Sequence, residues 1–190
     1  MTATCHVLMI CGSLRAGSTN EAALRTAAGV APEGVATRLF DGLGKLPHFN
    51  PDDDHEPLHP AVVDLRAAIG AADALLLCTP EYAGALPGSF KNLLDWTVGG
   101  GEIYRKPTAW INVSAATTGA ANAHASLRLV LGYASVDIVD AACAHIPVPR
   151  DTIGADGIVN DPTRRAEIAG MLTTLVEHVA SRDNTGQLNP

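Results

Sequence analysis

The chain has 190 residues, 47% of them hydrophobic, enough to bury one sizeable core and too few for a second domain to be expected. Thirteen Lys and Arg against twenty Asp and Glu leave a formal net charge of −7, which repels nucleic-acid backbones and anionic lipid alike. No apolar run approaches the roughly 20 residues that cross a bilayer, and no basic segment leads into an apolar one near residue 1, so a soluble cytoplasmic protein is expected.

In chain order, "HVLMICG" (6–12) is a short apolar run that ends in glycine, and an alanine-rich helix follows from 18 to about 30, with Ser18 or Thr19 as its cap. "VATRLFD" (35–41) alternates as a strand does. A proline-rich acidic loop, "LPHFNPDDDHEPLHP", then precedes a helix over 61–72. "ADALLLCTP" is apolar without interruption, the mark of a strand covered on both faces of a parallel sheet. After "EYAGALPG", Phe90, Leu93, Leu94 and Val98 recur at helical spacing. A fourth strand is predicted over 107–114, a helix over 123–134, and a fifth strand in "SVDIVDAACAHIPV". The closing helix starts with Asp161 as cap and Pro162 in its first turn. Strands interleaved with helices, without repeats, indicate a doubly wound α/β fold. One domain is expected over 1–182, with 183–190 as a flexible tail.

The stretch "CGSLRAGSTNEAALR" (11–25) tests two phosphate motifs and matches neither. The dinucleotide fingerprint needs a glycine where Leu14 stands. The Walker A loop finds Gly12, Gly17 and Thr19 in place, but Ser18 occupies the position of its lysine. Without that charge, and with no acidic residue closing "ALLLCTP" to hold magnesium, a nucleoside triphosphate is disfavoured. Ser13, Ser18 and Thr19 still offer hydroxyls, the helix start offers N–H groups, and Arg15 offers a guanidinium fork; together they suit a phosphate monoester. Asn20 either fixes the loop or touches the ligand. The alternative is an ordinary strand-to-helix turn with a serine cap and a solvated Arg15.

"TPEYAGALPG" is a second shaped loop after a strand, with Pro80 and Pro87 restricting its path and Gly84 permitting close approach. With strand order 2-1-3-4-5, both loops flank the topological switch point, where open α/β sheets bind ligands. Phosphate at one end and a flat polar heterocycle beside the other loop describe a mononucleotide such as FMN. Tyr82 reads either as part of that wall or as a half-exposed packing aromatic.

"GSLRAGSTN" followed at this distance by "TPEYAGALPGSFKNLLDW" closely resembles the NADPH-dependent FMN reductase family, flavodoxin-like proteins that include chromate, quinone and azo-dye reductases. The resemblance extends to the last helix. It implies a five-stranded parallel sheet, FMN as cofactor, NADPH or NADH as hydride donor, hydride passing to flavin N5, and a small-molecule electron acceptor. It also implies a homodimer or homotetramer. On that likeness Ser13, Arg15, Ser18, Thr19 and Asn20 bind the FMN phosphate. Pro80, Glu81, Tyr82, Ala83 and Gly84 line the isoalloxazine, and Ser114 approaches it from strand four. No side chain is assigned as catalytic, because the cofactor carries the chemistry. Two departures stand out. Ala83 occupies a position where the family often has asparagine, and "SAATTGAANAH" has Ala116 and Ala120 where glycine is common.

A flavodoxin-type electron carrier and a flavin-free binding module are the competing readings. The run from Asp52 to His59 is read as a solvated acidic loop rather than a metal site. His124 is expected to be solvated or capping, Trp96 and Trp110 to lie in the core or an interface, and the four cysteines to be free thiols.

Overall fold

The structure is a computed structural model that describes residues 4–186, with side chains through 182. Its strands are β1 (Cys5–Cys11), β2 (Val35–Phe40), β3 (Ala74–Cys78), β4 (Pro107–Asn112), β5 (Asp137–Ile138) and β6 (Ala144–His145). The helices are α1 (Thr19–Gly29), α2 (Pro60–Gly70), α3 (Gly88–Trp96), α4 (Ala121–Tyr133) and α5 (Pro162–Gly186). The strands form one parallel sheet in the order β2-β1-β3-β4-β5, with β6 also on β4. This is the flavodoxin-like arrangement. None of the described helices is long and apolar enough to cross a membrane.

Every residue of β3 and β4 is buried, as their uninterrupted apolar runs require of strands covered on both faces. Period two then divides their side chains between two cores. Val7, Met9, Leu76 and Ile111 pack under α1 and α5, while Leu8, Ile10, Leu75, Leu77 and Trp110 pack under α2, α3 and α4. Trp96 is 1% exposed and belongs to the second core, so its sequence reading as a core residue holds.

Local signals set the helix starts. Ser18 Oγ accepts from Glu21 N (3.1 Å), His59 Nδ1 from Ala61 N (3.2 Å), and Asp161 Oδ1 from Arg164 N (3.0 Å). The backbone N–H of Arg164 and the adjoining guanidinium also hold the Asp161 carboxyl below its ordinary pKa. The long connection between β2 and α2 is stapled to α3: Pro47 O accepts from Trp96 Nε1 (2.9 Å) and Asn92 Nδ2 (2.8 Å), and Asn92 Oδ1 accepts from Phe49 N (2.7 Å). Asp54 of the acidic loop turns inward to Arg66 Nη2 at 2.6 Å, and Arg66 Nε donates to Trp96 O at 3.0 Å.

The fifth strand differs from its expected form. It is two dipeptide strands separated by a 3₁₀ turn, Asp140–Ala142. Val139 N reaches Thr108 O (2.9 Å), after which the chain leaves the ladder so that Ala142 can bury itself beside α5. It rejoins β4 at Ile111. The last helix runs to Gly186, so the first four residues of the tail predicted over 183–190 continue the helix, and 187–190 lie outside the described residues.

Candidate functional site

Gly12 closes β1, and its N–H donates to Cys78 O of β3 (2.8 Å). A Cβ on Gly12 would stand 2.3 Å from Thr79 Oγ1 and 3.0 Å from Phe90 Cγ. Only glycine therefore lets the turn after β1 and the turn after β3 touch. Between them and the loop after β4 lies a cleft of about 410 Å³, within the range of roughly 300–1,000 Å³ usual for small-molecule sites. Thr19, Asn20, Thr79, Pro80, Glu81 and Ser114 are among the residues that line it.

Five of the sequence-predicted residues thus meet in one cleft: Thr19, Asn20, Pro80, Glu81 and Ser114. Ser13, Arg15 and Ser18 belong to the adjoining turn without lining the cleft. Ser13 Oγ accepts from Arg15 N (3.2 Å), and Ser18 Oγ is taken up in capping α1. The Arg15 side chain is exposed. Tyr82, Ala83 and Gly84 form a two-residue turn in which Tyr82 and Ala85 exchange N–H···O bonds of 3.0 and 3.1 Å. Its central residues have φ of 50° and 73°, the left-handed pair such turns require, and Tyr82 is 52% exposed. Asparagine tolerates that backbone better than alanine does, which gives the Ala83 departure a physical meaning.

The cleft walls are fixed by side chains that the chain itself satisfies. Asn20 Oδ1 accepts from Cys78 Sγ (3.3 Å), which ties α1 to the end of β3. Asn112 Oδ1 accepts from Ser114 N (3.0 Å), and the same amide donates to Gly119 O, so one asparagine shapes the loop after β4. Ser114 O accepts from His145 Nε2 (2.8 Å). The Glu81 carboxylate accepts from Ala123 N (3.0 Å) in the first turn of α4. His124, 9% exposed, donates through Nδ1 to Ala120 O (3.0 Å), a carbonyl that also takes its own N–H; it is buried and does not cap α4, so neither the solvated nor the capping expectation holds. Burial lowers its pKa, against the opposing pull of that bond, and its buried Nε2 has no partner among the described residues. Trp110 is 7% exposed, with the Arg128 guanidinium over its ring at 5.1 Å.

The electrostatics favour an anion at the start of α1. The first bond within the helix runs from Ala22 N to Ser18 O (2.9 Å), which leaves the N–H groups of Thr19 and Asn20 ahead of it as donors for a ligand. Cys11 and Cys78 lie just beneath, and burial raises the pKa of both thiols, so neither places a thiolate beside an incoming phosphate. A larger hollow of about 910 Å³ opens at the opposite, amino edge of the sheet. Its Lys106 is spent on Ala72 O, and no helix starts there, so the smaller cleft is the stronger site.

Sequence reasoning missed Thr79, Val113, Ala115, Thr118, Val148, Pro149 and Arg150 among the lining residues. The last three follow the final strand and form a wall that neither motif contains.

The model of the NADPH-dependent FMN reductase family matches residues 5–148. A NAD(P)H-dependent FMN reductase of Pseudomonas aeruginosa is 37% identical over 171 residues, covering 89% of this chain and 92% of that protein. A 2-hydroxy-1,4-benzoquinone reductase of a Burkholderia species is 33% identical, covering 84% and 88%. Among solved structures, FerB, a flavoenzyme NAD(P)H:(acceptor) oxidoreductase of Paracoccus denitrificans, superposes with a TM-score of 0.83 at 29% identity, over 94% of this chain and 98% of that one. With the motifs, the strand order and the rim cleft all in agreement, the chain belongs to the NADPH-dependent FMN reductase family.

Proposed function

We propose that the chain is an NAD(P)H-dependent, FMN-containing oxidoreductase that reduces quinones and related small acceptors, azo dyes and metal oxyanions included. The carrying observation is that the start of α1, the turn after β3 and Ser114 line one cleft of about 410 Å³. The residues present fit FMN. Thr19 and Asn20 offer N–H donors and a hydroxyl to the phosphate, residues 80–84 and Ser114 border the ring, and Ser13, Arg15 and Ser18 complete the phosphate turn.

Bound there, FMN would supply the two-electron chemistry between NAD(P)H and the acceptor, with its N5 as the atom that would accept the hydride. The protein's own residues bind and orient. Of the lining side chains only Glu81 and Arg150 bear charge, and the Glu81 carboxylate already accepts from Ala123 N.

We also infer a homodimer or homotetramer that works in the cytoplasm. Tyr82, Leu129 and Tyr133 are 52%, 62% and 86% exposed near the cleft and along α4, and Cys11, Cys78 and Cys143 are free thiols. Light scattering reads the assembly; a monomer at micromolar concentration would count against it.

The test is an absorption spectrum of the purified protein, then NADPH titration under nitrogen and steady-state oxidation with a quinone. A yellow protein bleached by NADPH and reoxidised by quinone is expected. Colourless protein without affinity for added FMN would overturn the proposal, and FMN that NADPH does not reduce would indicate an electron carrier instead.

A further inference from the structure

The arginine of the phosphate turn and the arginine that lines the cleft are different residues. Both side chains are exposed, but Arg15 stands outside the lining, whereas Arg150 lines the cleft together with Thr19, Asn20, Ser114, Ala115 and Ala116. It is the only cation in that lining. Among the described residues no carboxylate pairs with it, although the chain as a whole is acid-rich.

Its backbone is anchored to both walls. Val148 N donates to Val113 O (3.1 Å), beside Ser114. Arg150 then opens a 3₁₀ turn, Arg150–Thr152, in which Thr152 N donates to Pro149 O (3.1 Å) and Ile153 N to Arg150 O (3.2 Å). Asn160 N returns to Thr152 O (2.8 Å), and Val159 N reaches Thr26 Oγ1 of α1 (2.9 Å). The segment is therefore clasped between β4 and α1, the two elements that bound the cleft. The backbone that carries this unpaired guanidinium is thus fixed at the cleft, which sets the cation within reach of an anionic group of a bound ligand.

Resting on the FMN reading above, we propose that Arg150 is a cofactor-binding residue whose guanidinium grips the FMN phosphate across the cleft from the start of α1. Arg15 then contributes less to that grip than its place in the motif suggests. Arg150 selects the phosphorylated flavin over riboflavin.

The experiment titrates flavin-free protein with FMN and with riboflavin, by quenching of flavin fluorescence, for wild type, Arg150→Ala, Arg150→Lys and Arg15→Ala. Losing a charge-assisted bond predicts that Arg150→Ala weakens FMN binding roughly ten-fold or more, with riboflavin affinity unchanged and a smaller loss in Arg15→Ala. Arg150→Lys should recover part of the loss. Unchanged riboflavin binding also shows that the variant folds. An FMN-to-riboflavin ratio equal to that of wild type in Arg150→Ala would overturn this proposal alone, and so would a rise in the KM for NADPH without that change of ratio, which would assign Arg150 to the donor's pyrophosphate. Wild-type protein that binds neither flavin would instead overturn the FMN reading itself.

Discussion

The turn after β1 places its left-handed backbone position on a glycine, Gly17 at φ 62°, whereas the loops after β3 and β4 place alanines there, Ala83 at φ 50° and Ala120 at φ 51°. Each alanine also adjoins a left-handed glycine, Gly84 or Gly119. An L-residue in that region costs about 1–2 kcal/mol, a cost that glycine avoids. The turn after β1 is thus relaxed, and the loops after β3 and β4 store strain that neighbouring bonds hold in place: the Tyr82–Ala85 pair around Ala83, and the His124 ring on Ala120 O. Strain lies in the loops after β3 and β4 rather than in the turn after β1.

Four substitutions break or sharpen that contrast. Gly12→Ala should be the most damaging, at about 3 kcal/mol, because its methyl meets Thr79 and Phe90 where the two regions touch. Urea unfolding reads it, and a variant as stable as wild type would refute the close contact. Ser18→Ala removes the cap of α1 and should cost about 1 kcal/mol. Ala83→Gly works in the opposite sense: relief of strain, less the entropy of the new glycine, should stabilise by about 0.5–1 kcal/mol. If thermal melting shows Ala83→Gly to be the weaker protein, the stored strain is not there.

The smallest effect is a pH slope. Burial lowers the pKa of His124 below the ordinary 6.5, so the unfolded chain binds its proton first as pH falls. The stability contributed by keeping this ring neutral is complete above pH 6.5 and declines as pH drops from there towards the folded value. His124→Gln should flatten the fall in Tm between about pH 7 and about pH 5. Equal slopes in the two proteins would remove His124 as the cause.

Which features were legible follows from how far each signal reaches along the chain. β3 and β4 announce themselves as apolar runs, and the serine, histidine and aspartate caps stand where their helices begin. The fifth strand was legible within "SVDIVDAACAHIPV", but its break into two pieces was not, because each pairing spans only two residues, too few for any period to appear. Arg15 was conspicuous for its motif, yet motif position says nothing about where a side chain points. Arg150 was overlooked for the opposite reason: "PVPR" matches no pattern. One signal was available, since a lone cation just beyond the last parallel strand sits at the end of the sheet where ligands gather. The two left-handed alanines were visible only through the resemblance, as Ala83 in a place of asparagine and Ala120 in a place of glycine, because alanine itself favours no such backbone.

The interruption of the fifth strand also bears on how the molecule keeps apart from its neighbours in a crowded solution. Continuous rows of unpaired amide and carbonyl groups invite another chain to add a strand, and a border cut into two dipeptides by a 3₁₀ turn offers no such row. Among the described residues that leaves β2 as the regular border, six residues long and carrying the exposed cation of Arg38. Any uncontrolled sheet extension would therefore start at β2, far from the interrupted side.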